Sequence, residues 1–167
     1  MNNIIYIMGV SGSGKTTIGK LLSQKTGIPF FDGDDFHSAA NKEKMKAGIP
    51  LTDADRLGWL QVLNRLAKEE SVKRGAIIAC SALKESYRKL LSENLDNPYW
   101  VFLKGSFELI SQRMKYRTGH FMSPVLLQSQ FDDLEIPQPA ITVQINNELE
   151  EITDHIIQLL KEKAAEE

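Results

Sequence analysis

"GVSGSGKTT", residues 9–17, stands between the apolar run Ile4-Ile5-Tyr6-Ile7-Met8 and a segment in which Ile18, Leu21 and Leu22 recur at helical spacing. That context is strand, loop, helix. Gly9, four residues, then Gly14-Lys15-Thr16 satisfies the P-loop pattern. Gly9, Gly12 and Gly14 let the backbone approach a polyphosphate, and Ser11, Ser13 and Thr17 complete a loop whose N–H groups face an anion at a helix N-terminus. Lys15 reaches the β- and γ-phosphates in this pattern, and the hydroxyl of Thr16 joins a Mg²⁺ shell. The expected ligand is therefore a polyphosphate with Mg²⁺.

Apolar strands alternate with helices along the rest of the chain. A second strand, Gly27-Ile28-Pro29-Phe30-Phe31, ends in "DGDD"; "AIIAC" at 76–80, "YWVFLK" at 99–104 and "AITVQI" at 140–145 follow. Helices are expected at 53–74, where Thr52 or Asp53 caps and Leu57, Leu60, Leu63 and Leu66 trace a stripe, at 85–93, from Phe107, at 124–134 and from Leu149 onward. Five nearly all-apolar strands alternating with helices imply an α/β fold with a parallel sheet covered on both faces. The 167 residues fit one domain.

Composition narrows the function. A formal charge of −2 supplies no broad basic surface, so no nucleic-acid partner is expected. No run reaches membrane-spanning length, and the N-terminus lacks a basic region followed by a long apolar segment, so a cytoplasmic protein without a membrane partner is expected. The single cysteine, Cys80, permits no disulfide framework and reads as a buried strand residue. His37, His120 and His155 are too scattered to suggest a metal site.

A P-loop leaves the reaction open. No guanine-reading Asn/Thr-Lys-x-Asp motif follows a strand, and "AIIACSA" lacks the metal-binding Asp of motor ATPases. Carboxylates appear instead after the second strand, as Asp32, Asp34 and Asp35. One is suited to support Mg²⁺ through water and another to orient and deprotonate an attacking hydroxyl. "QRMKYRTGH" at 112–120 places Arg113, Lys115 and Arg117 before a glycine-containing break, as expected of a lid at about 115–124 that closes on phosphates.

Together, "GVSGSGKTT", "DGDDFHSAANKEKMKAGIPLTDADRLGWL", "CSALKESYRKLL" and "GHFMSPVLLQSQFDDLEIP" resemble the gluconate kinases of the P-loop type, relatives of shikimate and adenylate kinases. The resemblance runs from about Ile4 to the last helix. It implies a three-layer α/β/α P-loop kinase fold with a helical lid, in a homodimeric cytoplasmic enzyme that transfers the γ-phosphate of ATP to the 6-hydroxyl of D-gluconate. Motif position and chemistry then suggest roles. Arg56 in "DADR" suits the gluconate carboxylate through its planar fork. Lys84, His120 and Gln130 supply donors to the acid or its hydroxyls, Asp34 orients and deprotonates the attacking hydroxyl, and Asp32 joins Thr16 on the metal side. Arg113 stacks on adenine, and Arg117 closes on the phosphates. Gly58 and Met122 depart from the family's commoner proline and aromatic residues. A shikimate-like kinase and a non-catalytic nucleotide-binding module are the alternatives; "SAL" at 81–83 replaces the Gly-Gly-Gly turn of shikimate kinases.

Overall fold

A computed structural model describes residues 3–116 and 123–166. Its elements are β1 (Ile4–Met8), α1 (Lys15–Thr26), β2 (Phe30–Asp32), a 3₁₀ turn (Gly33–Phe36), α2 (Ala39–Lys46), α3 (Asp53–Ser71), β3 (Ala76–Ala79), α4 (Glu85–Ser92), β4 (Tyr99–Lys104), α5 (Phe107–Lys115), α6 (Pro124–Asp133), β5 (Ile141–Gln144) and α7 (Leu149–Glu166). All strand pairs are parallel and the order is β2-β3-β1-β4-β5.

Strand periodicity sorts the apolar residues between two cores. On one face Ile5, Ile7, Ile77, Val101, Leu103 and Val143 meet Ile18 and Leu22 of α1 and Ile152 and Ile156 of α7. On the other, Tyr6, Met8, Ile78 and Phe102 meet Trp59, Leu60 and Leu63 of α3 and Tyr87 and Leu91 of α4. The parallel five-stranded α/β sheet read from the sequence is the one observed.

The differences are local. Gly27 caps α1 with φ 76° instead of opening a strand, and β2 begins at Phe30 because its ladder with β3 starts at the pair Phe30 and Ile77. Helix α2 has no apolar stripe to announce it. It is held by its Ser38 cap, which accepts from the Asn41 N–H at 3.1 Å, and by Asn41 Nδ2, which donates to the Asp55 carbonyl at 2.8 Å. No helix among the described residues is long and apolar enough to cross a membrane.

The topology fixes where a ligand goes. β1 lies between β3 and β4, so chain connections leave its carboxyl end toward opposite sides and open a crevice there. The loop at 9–14 follows β1 into that crevice.

Candidate active site

Helix α1 begins without a side-chain cap: its N-cap is Gly14, at φ 99° and ψ 16°. A left-handed backbone favours glycine, and the missing cap leaves the helix's first N–H groups and positive end to an anion. Lys15 Nζ lies over the loop, donating to the carbonyls of Gly9 at 3.0 Å and Val10 at 3.1 Å. Gly12 has φ 79° and packs against Met114 of α5. Thr17 is half-buried on the first turn of α1. Ser13 Oγ is the buried side-chain oxygen without a hydrogen-bond partner among the described residues.

Asp32 links that loop to the next strand. Its Oδ2 accepts from Thr16 Oγ1 at 2.9 Å, while Oδ1 accepts from the Asp34 N–H at 3.0 Å and so caps the 3₁₀ turn. One carboxylate thereby fixes both the hydroxyl at the start of α1 and the backbone that carries Asp34. The Asp34 side chain is 79% exposed. Lys15, Thr16, Asp32, Asp34, Arg56 and Gln130 all line one cleft of about 460 Å³.

Arg56 enters the cleft from the first turns of α3, whose start is fixed by a capping box: Asp55 N–H donates to Thr52 Oγ1, and Thr52 N–H donates to Asp55 Oδ2. Lys44 donates to Asp55 at 2.8 Å, and this bond, followed by the Thr52 N–H, holds the Asp55 carboxyl down at about 2. Arg56 Nη1 donates to Tyr87 Oη at 3.1 Å, and the guanidinium stands 5.4 Å from the Tyr87 ring centre. Among the described residues Arg56 makes no ion pair, so its charge is available to a bound anion.

Lys84 is placed differently from Arg56. It lies outside the cleft lining and pairs with Asp53 Oδ1 at 3.2 Å. Tyr87 Oη also donates to Asp53. The Tyr87 bond first, then Lys84, lowers the Asp53 pKa, and Asp53 in turn raises that of Lys84.

Gln130, on α6, is engaged by the loop itself. Its Oε1 accepts from the Ser11 N–H at 2.7 Å, and its Nε2 donates to Ser11 Oγ at 3.1 Å. Arg113, near the end of α5, donates through Nη2 to the Ile145 carbonyl beyond β5. Arg117 and His120 lie outside the described residues, as does most of the lid expected at 115–124.

The cleft residues His37, Trp59 and Cys80 were not singled out for function by sequence reasoning. The His37 ring stacks on Trp59 at 4.0 Å and 17°, and Trp59 Nε1 donates to the Gly33 carbonyl at 2.8 Å. Asn41 Nδ2 lies 3.3 Å from His37 Nδ1. Burial first, then the charges of Arg56 and Lys42, pushes His37 down to about 4. His37 lies just before the Ser38 cap of α2 and Asn41 in the helix's first turn, so no helical spacing in the sequence announced the pairing. Cys80, at the end of β3, is buried, and burial pushes its thiol up to about 12, so it is an inert wall residue.

A phosphate-binding loop after the central strand of a 2-3-1-4-5 parallel sheet, facing an exposed carboxylate and an arginine with no ion pair among the described residues across one cleft, defines a P-loop kinase of small acceptors. The shikimate kinase family model matches residues 11–164. The chain is 43% identical to the "Probable gluconokinase" of Dictyostelium discoideum, over 95% of this chain and 86% of that one. It is 42% identical to the "Thermosensitive gluconokinase" of Escherichia coli strain K12, over 89% and 82% of the two chains. The crystal structure of a gluconokinase from Sinorhizobium meliloti 1021 superposes with a TM-score of 0.90 at 38% identity, covering 99% of this chain and 95% of that one. The chain belongs to the gluconokinase family of P-loop kinases.

Proposed function

We propose that this protein transfers the γ-phosphate of ATP to the 6-hydroxyl of D-gluconate, giving 6-phospho-D-gluconate and ADP. The observation that carries the reading is the placement of Asp34 and Arg56 in the same cleft as Lys15 and Thr16. Gluconate carries a carboxylate at one end and the reacting hydroxyl at the other. Arg56 binds the first by a charge-assisted fork, and Asp34 accepts a hydrogen bond and then the proton from the second. Lys15 leaves its two loop carbonyls to contact the β- and γ-phosphates, and the open start of α1 supplies backbone N–H donors.

Thr16 and Asp32 fit a magnesium ion. They present hard oxygen donors 2.9 Å apart beside the phosphate loop, and no group of three or more His, Cys, Asp or Glu side chains suited to a metal exists among the described residues. A pair of donors with the rest of the shell left to water and phosphate is the arrangement Mg²⁺ favours. When bound, the ion neutralises charge on the phosphates.

Arg113 and Arg117 remain assigned to adenine and to the transferring phosphate, and His120 to the acceptor side. The reading of a single domain rests on chain length, and that of a cytoplasmic homodimer on family resemblance. For Lys84 the pairing with Asp53 favours a supporting part, holding the residue that orders Tyr87 under Arg56. For Gln130 the bonds to Ser11 favour control of the loop's shape over direct contact with the polyol.

The test is ADP release by purified protein with ATP and Mg²⁺, with no acceptor, with D-gluconate and with shikimate. Stimulation by gluconate alone supports the proposal. Stimulation by shikimate alone, or by neither despite measured ATP binding, refutes it.

A further inference from the structure

His37 sits beside Asp34 with a defined tautomer. Asn41 Nδ2 donates to the Asp55 carbonyl at 2.8 Å, which fixes the direction of the amide. An amide nitrogen only donates, so at 3.3 Å His37 Nδ1 is the acceptor and the imidazole proton resides on Nε2. His37 Nε2 lies 4.0 Å from Asp34 Oδ1. The gap is too long for a direct hydrogen bond. Stacking on Trp59, itself pinned to the Gly33 carbonyl, prevents the ring from turning to close it. The result is a rigid neutral donor and an acceptor carboxylate, side by side in the wall of the cleft.

Two neighbouring hydroxyls of a polyol fit this pair. Oxygens on adjacent carbons in a gauche arrangement lie about one hydrogen-bond length apart, roughly 2.8 Å. With one oxygen donating to Asp34 and the other accepting from His37, the four polar atoms close a quadrilateral whose fourth side is the observed 4.0 Å. We propose that His37 Nε2–H holds the substrate hydroxyl next to the one that Asp34 activates, so that the His37 and Asp34 pair reads a vicinal diol at the reacting end of the acceptor. This rests on the proposed function: for gluconate the two groups are the 5- and 6-hydroxyls. Burial and the nearby positive charges keep His37 uncharged at neutral pH, which suits a donor to a neutral hydroxyl. A donor positioned for a hydroxyl discriminates against an analogue lacking it, because in the complex the N–H then loses its partner.

The experiment compares D-gluconate with 5-deoxy-D-gluconate in wild type, His37→Phe and His37→Gln. Phenylalanine keeps the stack on Trp59 and removes the donor; glutamine restores an N–H in its place. Wild type is expected to prefer gluconate in kcat/KM by about 10- to 100-fold. His37→Phe should reduce that preference to within about threefold with KM for ATP unchanged, and His37→Gln should recover a substantial part of it. Each preference is a ratio from one preparation, so partial unfolding cancels. An undiminished preference in His37→Phe, or equal wild-type use of both acids, overturns the inference while gluconate turnover leaves the proposed function standing. Absence of gluconate turnover in wild type overturns both.

Discussion

Gly33 carries Asp34 on one side and Asp32 on the other, and it passes so close to β3 that a side chain has no room. A Cβ built there would stand under 3.0 Å from the Ala79 carbonyl oxygen, closer than real Cβ atoms come, and 3.3 Å from Leu63 Cδ1. Ala79 is in the ladder with Asp32 and cannot retreat without breaking the sheet. The Gly33→Ala variant must therefore lift the 32–34 segment by about 1 Å to regain ordinary van der Waals distance. Overpacking of this kind costs about 1–3 kcal/mol, or roughly 2–12 °C in Tm for a chain of this size. The functional effect is larger, since the same shift moves Asp34 from the acceptor hydroxyl and pulls Asp32 from Thr16. A misplacement of about 1 Å costs on the order of 100-fold in turnover. Gly58 is the matched control: it is inside α3, and a Cβ there meets nothing within 4 Å. Gly58→Ala should leave turnover intact and gain up to about 1 kcal/mol from helix propensity. Steady-state kinetics and thermal melts on the two variants decide the matter. A Gly33→Ala protein with kcat within threefold of wild type and an unchanged Tm refutes the reasoning.

Other consequences can be checked with the same assays. Asp34→Asn should lower kcat by about 10²- to 10⁴-fold, with Tm shifted by no more than about 2 °C because the side chain is 79% exposed. Arg56→Ala should raise KM for gluconate by about 10- to 100-fold and leave KM for ATP within twofold, as expected from loss of a charge-assisted pair; an effect confined to ATP contradicts the assignment. The third concerns pH. His37 is held at about 4 in the folded chain against 6.5 in its ordinary state. Between those values the unfolded chain binds a proton that the folded chain does not, so stability declines as pH falls from about 6.5 toward 4. Urea midpoints at pH 7 and pH 5 should show that decline, and His37→Phe should flatten it.

How much could be read in advance follows from how local each feature is. The loop at 9–17 was legible because a P-loop is a contiguous pattern whose flanking strand and helix are visible in the same short stretch. Strands β1, β3 and β4 declared themselves as apolar runs because both faces are covered. Helix α2 was missed since "AANKEKMK" has no apolar face, and it is held by its Ser38 cap and by the bonds of Asn41 and Lys44 to Asp55 of α3. The clasp between Ser11 and Gln130 spans 119 residues, and no local spacing announces it. Arg56 was assigned to the carboxylate and Lys84 to the acid or its hydroxyls; only the fold shows that Asp53 pairs with Lys84, outside the cleft lining, while Arg56 lines the cleft. His37 read as an isolated histidine because its partners, Trp59 and the Asp55 carbonyl that aligns Asn41, are contributed by a separate helix.

The central claim is transfer to the primary hydroxyl of gluconate, and proton-coupled ³¹P NMR of the product tests it most directly. Phosphate on the 6-oxygen couples to the two protons of the terminal carbon and gives a triplet-like resonance, formed only when ATP, Mg²⁺ and gluconate are all present; this is the predicted result. A doublet, the mark of phosphate on a secondary hydroxyl, or inorganic phosphate alone, would contradict the placement of the reacting end at Asp34.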